Sequence, residues 1–172
     1  MELLTQRLKL RLLNKQDWNF FQNLNQNHQA MRYVADIPDE QRLRNLFESR
    51  IETWEKGKDS YLSFVIERLD NKEPIGLHGL KGFAENQQQA ELGFILHPNY
   101  QGQGFALEAT KAVIEFALKA MGYQALVATV TDGNTASLGL LYKLGFVHYQ
   151  TIKQNYKINN IWHDDIVLML NA

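Results

Sequence analysis

The chain has 172 residues, a formal net charge of −1 and no cysteine. That length, with 45% hydrophobic and 22% charged residues, suits one domain over residues 1–172 with a single sizeable core. Near-neutral charge leaves no basic field to attract DNA or anionic lipid, and the missing cysteines exclude disulfides, thiolate metal ligands and a cysteine nucleophile.

No apolar run approaches the ~20 residues of a membrane helix, and "MELLTQRLKLRLL" is too charged for a secretory signal. A cytoplasmic enzyme or binding module with no membrane partner is expected. "RLKLRLL" alternates Arg7, Lys9 and Arg11 with Leu8, Leu10 and Leu12, the period of a half-buried strand. Trp18, Phe21 and Leu24 have helical spacing. A second helix follows, with Asp39 as its cap, Leu43, Phe47, Ile51 and Trp54 on one stripe, and Gly57 as its end.

The period then changes. "YLSFVIERL", "IGLHGLKGF" and "AELGFILH" read as three successive strands of an antiparallel meander, the last closed by Pro98. The helix that follows is expected to bury Phe105, Ala109, Ala112, Val113, Phe116 and Ala120, with Gly122 at its end. "ALVATV" is a fully buried strand. A short helix over Thr135–Lys143 ends at Gly145, and "GFVHYQTIKQ" and "DIVLML" form a last antiparallel pair joined by the polar turn "NNIWHDD". The fold class is α+β with a mixed, mostly antiparallel sheet.

"HPNYQGQGFALEATKAV" places two glycines between a strand and a helix. Glycines let the backbone approach an anion closely, and the first-turn N–H groups of a helix have no internal partners. A P-loop is excluded because Phe105 and Ala106 follow Gly104 where Lys-Ser/Thr is needed, and a Rossmann or kinase loop because Leu107 stands where a third glycine is needed. On the turn alone, a structural role and a ligand cradle both remain open.

"QGQGFA" fits the pattern Arg/Gln-x-x-Gly-x-Gly/Ala, and "NTASLGLLYKLGF" an Asn-x-x-Ser/Ala…Gly-Phe segment; together these resemble the GNAT acetyltransferase superfamily. Thr5–Arg11 and "AELGFILHPNYQGQGFALEA" resemble its RimJ/RimL-like branch. The resemblance covers nearly the whole chain in order. It implies a GNAT-like sheet with helices on both faces, and a V-shaped splay between the fourth and fifth strands of the reading above, Glu91–His97 and Ala125–Val130. It also implies acetyl-CoA as cosubstrate and no metal.

By the same resemblance Gln101, Gly102, Gln103, Gly104, Phe105 and Ala106 bind the pyrophosphate, while the backbone of Phe94, Ile95 and Leu96 follows the pantetheine arm. Asn134 contacts CoA or simply caps its helix. Ser137 faces the sulfur or satisfies local backbone. The family's acid tyrosine falls at Leu141, and the neighbouring Tyr142 is turned ~100° around the helix, so Ser137 is the better hydrogen-bond donor and Tyr142 the weaker candidate. Glu91 reads as a water-mediated base or as a solvated strand-end charge.

An α-amine, pKa ~7.7, costs under ~1 kcal/mol to deprotonate near neutrality, and a lysine amine, pKa ~10.4, about 4 kcal/mol. This favours a peptide N-terminus, such as that of a ribosomal protein, or another weakly basic amine as the acceptor partner. Tyr33, after the first helix, and His78, Trp162, His163 and Asp164 are candidate acceptor-site residues, with a partly buried strand histidine as the alternative for His78 and a plain hairpin loop for the last three. No metal-ligand spacing exists among the five histidines. The functional expectation is an N-acetyltransferase in which the amine attacks the thioester directly; a non-catalytic acyl-CoA-binding module of the same fold is the alternative. Monomer and homodimer are both open.

Overall fold

The computed structural model describes residues 1–56 and 59–172. Eight strands form one sheet in the order β1-β2-β3-β4-β5-β6-β8-β7: β1 Glu2–Leu4, β2 Leu8–Leu12, β3 Tyr61–Arg68, β4 Pro74–Gly82, β5 Gln89–Leu96, β6 Ala125–Thr131, β7 Val147–Ile158 and β8 Ile161–Asn171. All neighbours are antiparallel except β5 and β6. Helices α1 (Trp18–Asn25), α2 (His28–Met31) and α3 (Glu40–Ile51) precede the meander. Helices α4 (Phe105–Glu115) and α5 (Thr135–Lys143) follow β5 and β6.

The patterning of the strands explains the layers. Leu8 and Leu10 of β2 are fully buried on the α4 face with Phe64, Ile66, Leu92, Phe105 and Val113. Val65 of β3 faces the other way and joins Leu13, Phe21, Leu43 and Phe47 beneath α1 and α3. Asp39 starts α3 by accepting a hydrogen bond from the Arg42 N–H at 2.8 Å. Arg11, on the same strand as Leu8 and Leu10, pairs with Asp17 at 2.8 Å and Glu67 at 3.0 Å. Those bonds tie β2 and β3 to the start of α1.

The site depends on how β5 meets β6. β4 and β5 stay paired over seven residues, Gly76–Gly82 with Leu96–Ala90, and β6 and β8 over seven, Ala125–Thr131 with Asn171–Asp165. Between those two blocks the parallel ladder holds only at Gln89–Ala125, Ala90–Leu126 and Glu91–Val127. Past Glu91 the strands separate. The block edges therefore face each other with backbone N–H and C=O groups that no ladder satisfies. Gly76 keeps β4 and β5 in close register, because a Cβ there would fall 2.6 Å from the Ile95 carbonyl oxygen.

Four local expectations need correction. The N-terminus adds a strand, β1, paired to β2 through Glu2–Arg11, Leu3–Leu10 and Leu4–Lys9, so the two strands expected to part are the fifth and sixth of the sheet. Helix α4 passes into a π-helical segment at Phe116–Ala120, and the wider turn shifts its buried face. Ala117 is thus fully buried while Ala120 is exposed, and Thr110, ahead of that segment, is buried as well. The "NNIWHDD" turn shrinks to Asn159 and Asn160, both at positive φ (50° and 62°), the signature of a tight hairpin turn, and Ile161–Asp165 belong to β8. Helix α3 ends at Ile51, and the expected stop at Gly57 lies outside the described residues.

Candidate active site

The separation of β5 from β6 opens a cleft of about 900 Å³. Glu91 to Ile95 line one wall, Ala128 to Thr131 the other, and Asn134, Ser137 and Leu141 of α5 close one side. Along β5 the side chains alternate. Leu92, Phe94 and Leu96 turn to the α4 core, and Glu91 pairs across the strands with Lys81 on the opposite face. Phe94 stacks on His78 with ring centroids 5.7 Å apart. Leu96 contributes its carbonyl oxygen, which accepts a hydrogen bond from Gln101 Nε2 at 3.0 Å.

That bond begins the glycine turn at the cleft's mouth. Gly102 and Gly104 both hold positive φ, 73° and 81°, where a side chain is strained. Side chains cover the turn's carbonyl groups: Gln103 Nε2 donates to Asn99 O at 2.8 Å and Arg7 Nη1 to Gln103 O at 3.1 Å. Among the described residues the N–H groups of Gly102 to Ala106 have no partner. A run of free N–H groups at the head of an 11-residue helix has the geometry to receive an anion. Phe105 is buried, with the Arg7 guanidinium 4.3 Å above its ring, and Ala106 packs on the core.

Glu108, in the first turn of α4, would oppose an anion if its charge were free. Instead it accepts from Thr5 Oγ1 at 2.6 Å, Arg7 N at 2.8 Å and Arg7 Nε at 2.7 Å. Burial pushes its pKa up, and these hydrogen bonds outweigh that and hold the carboxyl below its ordinary value. The Thr5 and Arg7 positions in "TQRLKLR" thus brace the glycine turn from the far edge of the sheet.

At α5, Asn134 caps the helix by accepting from the Ser137 N–H at 3.2 Å, and both residues line the cleft. Leu141 is buried there, whereas Tyr142 is 48% exposed and outside the cleft. His78 is buried, bonded through Nε2 to Thr110 Oγ1 at 3.2 Å, and burial lowers its pKa to about 3. It is a neutral floor residue. Tyr33 reaches the cleft, and its carbonyl oxygen accepts from Thr131 Oγ1 at 2.7 Å.

The hairpin candidates do not join that group. Trp162 is exposed beneath the Lys157 ammonium, 4.9 Å from its ring, and Asp164 is bound to Lys153 Nζ at 2.7 Å. His163 stacks on Tyr156 at 6.0 Å, and none of the three lines the cleft. Their neighbours do: Tyr156, bonded to Thr131, and Asp165, which accepts from Asn155 Nδ2 at 2.6 Å. Sequence reasoning missed these two, and missed Arg42, Arg50, Tyr61 and Lys81, which line the same side. The usable signal was the Asn-Asn turn, which fixes the hairpin register and with it which strand residues face inward.

Residues 7–147 match the model of the acetyltransferase (GNAT) domain. The chain belongs to the GNAT acetyltransferase family. With that family it joins the N-acetyltransferases that take their acetyl group from acetyl-CoA. A stretch of 99 residues is 34% identical to the uncharacterised N-acetyltransferase YoaA of Bacillus subtilis (strain 168), covering 58% of this chain and 56% of that protein. The spermidine N-acetyltransferase of Vibrio cholerae, solved with CoA and spermine, is 25% identical over 97% of this chain and 96% of that one, with a TM-score of 0.84. RimL, a ribosomal L7/L12 α-N-protein acetyltransferase solved with coenzyme A, shares the GNAT fold at a TM-score of 0.87 and 16% identity, over 100% and 98% of the two chains.

Proposed function

We propose that this GNAT chain moves an acetyl group from acetyl-CoA to a primary amine by direct attack in a ternary complex, in the cytoplasm. The observation that carries this reading is the early end of the β5–β6 ladder at Glu91–Val127 beside a glycine turn rich in free N–H groups. Two facing, unsatisfied strand edges suit a ligand that carries amides of its own, and the turn suits its pyrophosphate. Gln101 to Ala106 would hold the phosphates, and the backbone of Phe94, Ile95 and Leu96 the amide arm.

When bound, acetyl-CoA supplies a thioester carbonyl and a sulfur leaving group. Ser137, in the first turn of α5, donates a hydrogen bond toward that sulfur. A thiol pKa of ~8.5 makes strong acid help unnecessary, and this fits a chain whose Leu141 carries no proton. Glu91, where the strands part, accepts the amine proton through water. The cleft walls hold amine and thioester in line, which supplies much of the rate. Without cysteine, no thiol-linked acyl-enzyme forms.

The acceptor class follows from the same chemistry. A single glutamate is enough for an α-amine or another weakly basic amine, but is a weak base for one near pKa ~10.4. The test is free-thiol release from acetyl-CoA with purified protein and a panel of small amines and peptides, read beside the intact mass of the protein. Thiol release that requires an amine supports the proposal. An acetylated protein formed from acetyl-CoA alone sinks it, and CoA binding with no turnover across the panel favours a binding module.

A further inference from the structure

The acceptor side of the cleft holds two cations that, among the described residues, form no salt bridge. Tyr61, Lys81 and Glu91 stand in one register row across β3, β4 and β5. Arg50, in the last turn of α3, lays its guanidinium on the Tyr61 ring, 3.3 Å from the centroid, and Lys81 Nζ lies 5.8 Å from the same ring. Arg50 and Lys81 both line the cleft, and among the described residues neither pairs with a carboxylate. Burial lowers the Arg50 pKa, and the Tyr61 hydroxyl restores only part of that loss. A half-buried, unpaired cation is costly to keep. A ligand that brings its own anion removes the cost.

The acids of the cleft do not cancel this charge. Asp36 and Asp165 stand at the other end of the cleft: Asp165 pairs with Thr131, four residues along β6 from the Val127 that pairs with Glu91, and Asp36 accepts the N–H of Asn159 in the β7–β8 turn. Glu91 is the one carboxylate in the row, against Lys81 in the row and Arg50 stacked over Tyr61. Neighbouring strands lie about 4.8 Å apart, so Lys81 is about 5 Å and Tyr61 about 10 Å from Glu91 along the row.

We propose that the acceptor is a primary amine bearing a carboxylate about 5–10 Å from its nitrogen, with the carboxylate held by Arg50 and Lys81 while the amine faces Glu91. This rests on the acetyl-transfer reading and narrows its substrate class. A peptide whose N-terminal residue is glutamate meets both conditions, because its weakly basic α-amine stands about 5 Å from its side-chain carboxylate. A polyamine would bring a second cation to a site that already holds two.

Calorimetry on protein saturated with CoA tests the proposal with 6-aminohexanoate, hexylamine and 1,6-diaminohexane. The expected order is 6-aminohexanoate tightest, by about tenfold over hexylamine, and the diamine weakest. Arg50→Gln and Lys81→Gln each reduce that preference to under about threefold, with retained CoA affinity reporting a folded protein; should Arg50→Gln fail to fold, Lys81→Gln carries the test. Tripeptide amides beginning with Glu or Gln then test the carboxylate on a weakly basic α-amine, and a Glu amide that binds no tighter than the Gln amide overturns the proposal. Equal or tighter binding of hexylamine or the diamine, or an unchanged preference in the folded variants, overturns the proposal. If the Glu tripeptide amide binds as expected but releases no thiol from acetyl-CoA, the transfer reading fails and the anion site stands.

Discussion

Arg7 donates through Nη1 to the Gln103 carbonyl oxygen at 3.1 Å, although 96 residues separate them in the chain. Its Nε meets Glu108 at 2.7 Å, so one guanidinium fixes a turn carbonyl and masks the acid at the head of α4. Arg7→Ala should therefore raise the KM for acetyl-CoA about three- to tenfold, in line with the roughly 0.5–1.5 kcal/mol of one ordinary hydrogen bond, and change kcat little. Initial rates at varied acetyl-CoA measure it; an unchanged KM would leave Arg7 a purely structural residue.

Gly104 is the tighter constraint. At φ 81° any side chain is strained, and a Cβ would stand 3.3 Å from the Arg7 guanidinium. Gly104→Glu adds a negative charge where the phosphates should lie, and should raise the CoA dissociation constant by more than about tenfold. Gly104→Ala, which adds strain without charge, should have a smaller effect. Equal affinities for wild type and Gly104→Glu would move the phosphate site elsewhere.

The α5 residues separate by burial. Tyr142 is 48% exposed and outside the cleft, so Tyr142→Phe should leave kcat within about twofold. Ser137 lines the cleft, and Ser137→Ala should lower kcat about tenfold. Glu91→Gln should lower kcat by about 10²-fold with the KM for acetyl-CoA preserved. The reverse ranking of Tyr142 and Ser137 would assign the acid to Tyr142.

His78 predicts a pH effect on stability. Its pKa falls from 6.5 to about 3 on folding because burial disfavours the charged ring. Below pH 6.5 the unfolded chain binds a proton that the folded chain refuses. Stability is therefore full above pH 6.5 and is lost as pH falls toward 3, at up to about 1.4 kcal/mol per pH unit. Urea melts between pH 5 and 7 should show that slope, and His78→Phe should flatten it. A slope retained in His78→Phe would point to another group.

Much of this was readable in the sequence, for identifiable reasons. Alternating Leu8 and Leu10, the cap at Asp39 and the meander up to Pro98 are local signals, and the structure follows them. The glycine turn was legible because positive φ restricts residue choice. The acceptor side was not, because Arg50, Tyr61, Lys81 and Glu91 come from three strands and a helix, and only the register brings them into one row. Asp165 and Tyr156 were missed for a similar reason: a hairpin turn of two residues rather than seven changes which side chains face inward. The face buried by α4 was misread because a π-helical turn breaks the 3.6-residue period.

The central claim is that the glycine turn and the open edge of β5 receive acetyl-CoA, and amide hydrogen exchange with and without CoA tests it most directly. The account predicts that CoA slows exchange at Gly102 to Ala106 and at Gly93 to Leu96 together. CoA binding with exchange at both segments unchanged would contradict it.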